Sequence, residues 1–422
     1  MLARIKHRIG EFLPALRSHN YRLYFVGQGI SLVGTWLQNV AEAWLIYPVL
    51  TNNRSLLGIV SAINLAPHFL FVLFAGVLVE TWHKRRSLIA QQILYAGLAF
   101  VMFFLVFTKQ VQVWHVMLIA FGFGLVFAFE MPTRQTLMLS LVEKKDYPSA
   151  ISLNAAIFNA ARAIGPAIAG VSIATIGIAP AYFLNSLSFL AVIVAVLLMR
   201  LPRQEQYEER ISVILGLKES FIYLIQNKVI VVLLLILLLQ TLFSWPLATL
   251  LPVFAKDVFH RGEVGFGLLQ SAFGAGAVVG ALGFSTLFSV ARDKYKLLQL
   301  SIFGDIAAIL VFSISPIFPL ALLAQFCNGL LIQTIISTSN TLIQLVTPDT
   351  LRSRMLSFYS FVLVGGMPFG ALLGSLGVVT VGPRLTVALS SILLALASFS
   401  LIAATRGKFQ EKLQLLYNTD SI

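Results

Sequence analysis

Long runs of apolar residues alternate along this chain with short polar or charged segments. A helix needs roughly 20 residues to cross a hydrocarbon layer about 30 Å thick. The runs that reach this length predict twelve transmembrane helices, at 22–48, 55–79, 87–107, 113–138, 149–175, 180–200, 229–254, 264–288, 297–314, 317–345, 354–378 and 383–404. Because backbone polar groups in lipid must be satisfied within each segment, the pattern predicts an all-α membrane protein.

Composition supports a lipid environment, since 58% of the residues are hydrophobic, 11% are charged and the mean hydropathy is +0.88. A soluble domain carries far more charge. The net charge of +13 raises the question of nucleic-acid binding, but the basic residues are scattered through short segments beside predicted membrane ends. This distribution suits contact with anionic lipid head groups, and we predict no nucleic-acid partner.

The basic residues also predict an orientation. When the chain is threaded through the twelve spans, twenty-four of the 30 Lys and Arg residues fall on one side. Short cytoplasmic loops carry an excess of such residues. We therefore predict a multi-pass protein of the bacterial inner (cytoplasmic) membrane with both termini in the cytoplasm. The first residues lack a small-residue cleavage site, so we expect an interfacial helix there and not a removable signal.

The longest charged stretch lies between predicted spans six and seven and divides the chain into two sets of six. Its later part, from Ile211 to Ile225, has the apolar spacing of a helix lying on the membrane surface. The predicted organisation is a cytoplasmic lead-in (1–21), an N-terminal six-helix bundle (22–200), a cytoplasmic linker (201–228), a C-terminal six-helix bundle (229–405) and a cytoplasmic tail (406–422).

The two halves repeat one pattern. Moving the second half back by 204 positions places Gly280 on Gly76 and Leu345 on Leu141. One constant shift thus relates spans two and eight, and spans four and ten. Six spans repeated in the same orientation indicate two bundles related by an axis along the membrane normal, as in a large class of transporters.

Two motifs carry a resemblance to the major facilitator superfamily. The segment between spans two and three resembles the superfamily's loop signature, with Gly76, Leu78, Glu80, Lys84, Arg85 and Leu88 at the matching positions. Glu80 replaces the signature's aspartate and His83 its second glycine. Gly165, Pro166 and Gly170 are similar to an export-associated motif of span five.

Two longer stretches, around residues 131–170 and 347–360, resemble the branch that contains the enterobactin exporter and related macrolide and multidrug efflux proteins. The resemblance implies export of a small amphipathic molecule, such as a siderophore or a drug, driven by proton antiport with alternating access. It also implies that the motif residues gate the transporter, and we add the hypothesis that Glu80 contacts Arg134. The implied gating set is Gly76, Glu80, Lys84, Arg85, Arg134, Gly165, Pro166 and Gly170.

Polar residues at helical spacing predict a shared cavity. Span one carries a stripe at intervals of 3, 4, 3 and 4, span ten repeats it, and span seven adds two positions. The alternative is that these side chains hydrogen-bond between helices. The candidate substrate-cavity residues are Gln28, Thr35, Gln38, Arg162, Gln240, Ser244, Gln333, Ser337 and Asn340, with Ser31 and Gln344 on the same stripes.

Four charged residues lie well inside predicted spans, where an unpaired charge is costly and marks a functional candidate. Glu42, Glu130 and Asp305 are candidate proton-coupling acids. Glu42 is the first choice because a carboxyl group in a partly dry cavity can load and release a proton, and the alternative is an ordinary acid at the periplasmic mouth. A pairing role is the alternative for Asp305. Arg162 needs an anion, and we expect either an ion pair with Glu130 or Glu42 or direct contact with an anionic substrate.

Other classes of protein fit less well. The nearest rival is a lipid or lysolipid flippase of the same fold. An intramembrane enzyme would need a nucleophile with a base or a metal cluster, whereas the six histidines show no ligand spacing and Cys327 is the sole cysteine. A channel would be expected to contain repeated pore loops, and the sequence shows none. We predict a monomeric transporter without cofactor or metal, whose partners are a small-molecule substrate, protons and membrane lipids.

Overall fold

In a computed structural model, the described part of the chain comprises residues 14–80, 82–200, 213–290 and 293–419. Most of the predicted lead-in, the charged part of the predicted linker and the last residues of the tail lie outside it. Within these residues the structure is helical and contains no β-strand. The predicted all-α fold is confirmed.

Thirteen α-helices account for most of the described chain. They are α1 (His19–Trp44), α2 (Ser55–Glu80), α3 (Lys84–Phe107), α4 (Val113–Ser140), α5 (Tyr147–Ile176), α6 (Ala179–Leu198), α7 (Val213–Gln226), α8 (Lys228–Val253), α9 (Gly262–Val290), α10 (Lys294–Ile314), α11 (Phe318–Val346), α12 (Asp349–Thr380) and α13 (Pro383–Thr419). Helix α7 lies where a helix was predicted between spans six and seven, and the other twelve correspond to the predicted spans.

Eleven of these helices, all except α1 and α7, are long and apolar enough to cross a membrane. Helix α1 is also long, at 26 residues. Its predicted polar stripe, from Gln28 to Glu42, lowers its hydropathy relative to the other long helices. A helix that carries polar side chains along one face within a bundle is suited to turn that face away from lipid.

Two long helices continue into wider π-helical turns. The turn Leu45–Thr51 follows α1 and contains Pro48, and the turn Phe254–Val258 follows α8, which contains Pro252 near its end. Proline lacks the N–H that an α-helix needs for its hydrogen bond, which favours a change of winding nearby. The turns follow predicted spans one and seven, which are corresponding places in the two halves of the sequence.

The described residues form two compact units. The first unit contains the chain up to Asn52, then Ala66–Glu208 and His260–Gly274, and the second contains Asn53–Leu65, Glu209–Phe259 and the chain from Ala275 onward. The first part of α2 thus belongs to the second unit, and the first part of α9 to the first unit.

Polar contacts in the first unit join the beginnings of α1 and α3 to the end of α6. Asn20 on α1 donates a hydrogen bond to the Arg200 carbonyl, and the Arg200 amide donates one back to Asn20, both at 2.9 Å. Arg85 at the start of α3 donates to the Leu197 carbonyl at 2.8 Å. These bonds satisfy carbonyl groups that the end of α6 would otherwise leave without partners.

Glycines on α12 bring it close to α8 in the second unit. A Cβ atom added at Gly370 would lie 2.7 Å from the Leu242 carbonyl oxygen and 2.8 Å from that of Thr241, and one at Gly374 would lie 3.1 Å from the Pro246 Cα. In lipid, helices associate through such close packing because the hydrophobic effect does not drive them together.

The close approach at Gly370 predicts a loss of stability on adding one methyl group. We expect Gly370→Ala to lower the free energy of unfolding by about 1–3 kcal/mol, the usual effect of overpacking. The matched control is Gly97→Ala on α3, where an added Cβ meets nothing within 4 Å and alanine raises helix propensity. Thermal unfolding of both variants in detergent measures the difference, and equal stability of the two variants would contradict it.

Candidate functional site

The polar stripe of α1 lies largely inside the first unit. Gln28 and Gln38 are both buried. The Gln38 side-chain oxygen accepts a 2.7 Å hydrogen bond from Asn185 on α6, whose own oxygen accepts one from Ser188 at 2.9 Å. Thr35 donates to the Ser31 carbonyl at 2.9 Å. Gln38 therefore bonds between helices, which is the alternative that the sequence left open.

Glu42 lies one turn beyond Gln38 on α1 and is half-buried. Its carboxyl group lies near the Tyr182 phenol on α6 and interacts with it electrostatically. Over the described residues, Glu42 forms no ion pair, and the Tyr182 hydroxyl has no hydrogen-bond partner. The described residues thus provide no ion-pairing cation for this carboxyl group.

Glu130 and Arg134 form an ion pair one helical turn apart on α4, with the Arg134 Nε 3.5 Å from the Glu130 Oε1. Their side chains are only 5% and 16% exposed, respectively. The phenols of Tyr24 and Tyr95 lie near both charges. The side chain of Glu80, the hypothetical partner of Arg134, lies outside the described part of the structure, and so do the surroundings of Gly76.

Asp305 on α10 is fully buried in the second unit. Both of its carboxyl oxygens accept hydrogen bonds at 2.6 Å, one from the Gln240 amide on α8 and the other from the Asn328 amide on α11. Ser244, one turn along α8 from Gln240, also lies beside it. The sequence identified Gln240, Ser244 and Asp305 separately but missed Asn328. Neutral donors on two helices, α8 and α11, thus hold one carboxyl group of α10.

The predicted stripe of α11 is half-buried and bonds along its own helix. Gln333 donates to the Ser337 hydroxyl at 3.2 Å, and Gln344 donates to the Asn340 side-chain oxygen at 2.6 Å. These four side chains lie on one face, at intervals of about one turn. They form a continuous hydrophilic strip on the second unit.

Arg162 lies near the middle of α5 and contacts aromatic rings. Its Cζ is 4.4 Å from the ring centroid of Phe273 on α9 and 6.0 Å from that of Trp36 on α1. The expected ion pair with Glu130 or Glu42 is absent from the described residues, because Glu130 pairs with Arg134 on its own helix. This expectation was wrong, and cation–π contact takes the place of the ion pair.

The span-five motif brings α5 close to its neighbours in the first unit. A Cβ added at Gly165 would lie 2.6 Å from the Cβ of Trp36, and one at Gly170 would lie 2.7 Å from the Glu263 carbonyl oxygen. The Pro166 carbonyl lies against Gly267 of α9.

Lys84 begins α3, next to Arg85, which binds the end of α6. Across the described chain, no group of three or more His, Cys, Asp or Glu side chains could hold a metal ion.

Comparison with known proteins agrees with this architecture. The transmembrane secretion effector family matches residues 10–415. Macrolide efflux protein A of Streptococcus pyogenes is 21% identical over 366 residues, which cover 85% of this chain and 90% of that protein. The enterobactin exporter EntS of Citrobacter koseri is 25% identical over 369 residues, or 86% of this chain and 87% of that one.

The fold is also found in solved structures. A crystal structure of a bacterial homologue of the human lysosomal transporter Spinster superposes with a TM-score of 0.72 at 10% identity, covering 92% of this chain and 97% of that one. At this identity, the likeness concerns the fold alone. The resemblance seen in the sequence motifs is confirmed, and the chain belongs to the transmembrane secretion effector family of the major facilitator superfamily, whose members are membrane transporters and not enzymes.

Proposed function

We propose that this protein is a secondary active exporter of a small amphipathic molecule, either a siderophore or a drug-like compound, and that it works by proton antiport with alternating access. Its place is the bacterial inner membrane, with both termini in the cytoplasm. Family membership supports transport, the names of the macrolide and enterobactin exporters support the class of cargo, and the excess of basic residues in one set of loops supports the orientation.

The observation that carries proton coupling is the environment of Asp305. Its carboxyl group is fully buried at membrane depth and accepts hydrogen bonds from the neutral amides of Gln240 and Asn328. A buried carboxylate is costly unless a cation compensates it. A carboxyl group held only by neutral donors can therefore alternate between a protonated and a charged form as access to water changes.

The presence or absence of a compensating cation also distinguishes the other two candidate acids. Like Asp305, Glu42 has no ion-pairing cation among the described residues, and its side chain is half-buried. Glu130 lies against Arg134, whose guanidinium does not deprotonate in proteins and so supplies the compensating cation that Asp305 lacks. We assign proton coupling to Asp305 and Glu42, and a structural role to Glu130.

The hydrophilic strip of α11 supplies groups for the cargo. Its amides and hydroxyls both donate and accept hydrogen bonds, and its internal pairs, such as Gln344 with Asn340, can exchange partners with a polar ligand. Cargo with amide, ester or hydroxyl groups on an apolar frame suits such a surface. Siderophores and macrolides both have this character.

Transport by the purified protein tests the proposal. Proteoliposomes are loaded with a pH-sensitive dye, and enterobactin, erythromycin or lysophosphatidylcholine is added with and without an imposed pH gradient. We expect the gradient to drive uptake of enterobactin or erythromycin together with proton movement, and a protonophore to abolish both. Transport that ignores the protonophore would refute antiport. Transport of lysophosphatidylcholine alone would favour a flippase instead.

A further inference from the structure

Arg162 is a charge at membrane depth that the proton-coupling scheme does not use. It stands near the middle of the 30-residue helix α5, so either end of the helix is about 22 Å away at 1.5 Å per residue. A guanidinium at such a depth is costly unless protein groups or water surround it. The groups around Arg162 therefore indicate what it is for.

Aromatic rings form its immediate surroundings. Phe273 and Trp36 lie within cation–π range of the guanidinium, and Phe158, one turn back on α5, packs edge-on against Trp36 with ring centroids 6.3 Å apart. The face of a ring attracts a cation but supplies no oxygen for its N–H groups. The N–H donors of Arg162 form no hydrogen bond or ion pair with the described residues.

Over the described residues, no acid of the first unit forms an ion pair with Arg162. Glu130 is paired with Arg134, and Glu263 accepts a 3.1 Å hydrogen bond from the Trp44 indole. Glu42 lies beside Tyr182. A structural cation of this kind would ordinarily lie against one of these carboxylates, and the first unit instead leaves it facing neutral groups.

Close backbone contacts fix this arrangement. Gly165 allows α5 to approach Trp36, and Gly274 of α9 lies against the backbone of Arg162 and Ala163, so that an added Cβ would be 2.7 Å from the Ala163 Cα. The helices that carry Trp36, Arg162 and Phe273 are thereby held side by side. A site of this rigidity is pre-organised, which lowers the entropic cost of binding.

From these contacts we infer that Arg162, Trp36 and Phe273 form a binding site for an organic anion that carries an aromatic ring. The guanidinium edge binds two oxygens of a carboxylate or catecholate, and the rings contact the apolar part of the ligand. The inference rests on the proposed export function and narrows its cargo to aromatic anions, which include catecholate siderophores and exclude neutral or cationic drugs.

Equilibrium binding of 2,3-dihydroxybenzoate tests the site. The full-length protein is placed in phosphatidylcholine nanodiscs, with catechol as the neutral analogue of the probe. We expect Arg162→Gln to weaken binding of 2,3-dihydroxybenzoate by roughly tenfold or more. Arg162→Lys should weaken it less, because lysine keeps the positive charge but lacks the paired, planar N–H donors of the guanidinium. Catechol binding should be equally weak in all three proteins.

Lys109→Gln is the matched control, since it removes one positive charge from an exposed loop turn and should leave binding of the probe unchanged. Equal affinity of wild type and Arg162→Gln would overturn the inference, as would the same loss with catechol. If the glutamine variant does not fold, the comparison of wild type, Arg162→Lys and Phe273→Leu decides. We expect Phe273→Leu to weaken binding of the probe, and unchanged affinity in both of these variants would refute the site.

A lipid head group is another source of anions. Nanodiscs containing phosphatidylglycerol address it, because competition with the probe that disappears in Arg162→Gln would assign the site to lipid and overturn the assignment to a soluble aromatic anion. The binding assay uses no proton gradient, so its result is independent of the transport assay. Arg162-dependent binding without gradient-driven transport would defeat the proposed function alone, and gradient-driven transport without Arg162-dependent binding would defeat this inference alone.

Discussion

Asp305→Asn is expected to abolish proton-coupled transport, lowering substrate-driven proton flux by roughly tenfold or more because an amide cannot carry the proton of a carboxyl group. The fold should tolerate the change. The Gln240 side-chain oxygen is buried without a partner in the described structure, so it can accept from the new amide after the Gln240 side chain rotates. The flux is measured in proteoliposomes with an internal pH-sensitive dye.

Asp293→Asn provides the matched control. Asp293 caps the same helix, α10, by accepting a 2.9 Å hydrogen bond from the Lys296 amide, and asparagine caps a helix about as well as aspartate. We expect its proton flux to equal that of the wild type. Glu42→Gln is assayed beside it, and coupled flux at the wild-type level in Glu42→Gln or Asp305→Asn would remove that acid from the coupling scheme.

Arg134→Ala should destabilise the protein by about 3–5 kcal/mol, the usual cost of removing one partner from a buried ion pair. Glu130 is only 5% exposed at the side chain, so its carboxyl group would be left buried without the compensating guanidinium. A lower unfolding temperature in detergent is the measurement. The double variant Glu130→Gln with Arg134→Gln should recover most of the loss because it leaves no buried charge.

Lys145→Ala is the comparison for this second prediction. Lys145 and Glu143 also form an ion pair, at 2.6 Å, but their side chains are 70% and 74% exposed. Exposed pairs contribute little because water solvates each charge after the other is removed. If Arg134→Ala unfolded at the same temperature as Lys145→Ala, the buried pair would have no structural importance.

Much of the fold follows from apolar run length alone. The predicted span at 87–107 is helix α3, Lys84–Phe107, and the spacing of polar residues correctly identified Glu130 and Arg134 as one turn apart. These features depend on residues near one another in the sequence, where helical geometry fixes their relation. The local sequence pattern was therefore sufficient to predict these features.

The contacts between helices were harder to predict from the sequence. The partner of Gln38 is Asn185, and that of Asp305 is Asn328, at separations of 147 and 23 residues. A single amide in an apolar helix has no periodic pattern to mark it, and its partner depends on how the helices rotate about their axes. The expected ion pair of Arg162 was wrong because ring faces can also hold a guanidinium, and the alternative of direct contact with an anionic substrate stays a prediction.

The assignment of His260–Gly274 to the first unit has a consequence for biosynthesis. Domains generally fold during translation as their residues leave the ribosome. The first unit receives this last segment only after α7 and α8 have been made, so its assembly must wait for part of the chain that follows the linker. A nascent chain arrested before α9 would therefore leave the Gly165 to Gly170 surface of α5 uncovered, as a place for chaperones or quality-control proteases to engage.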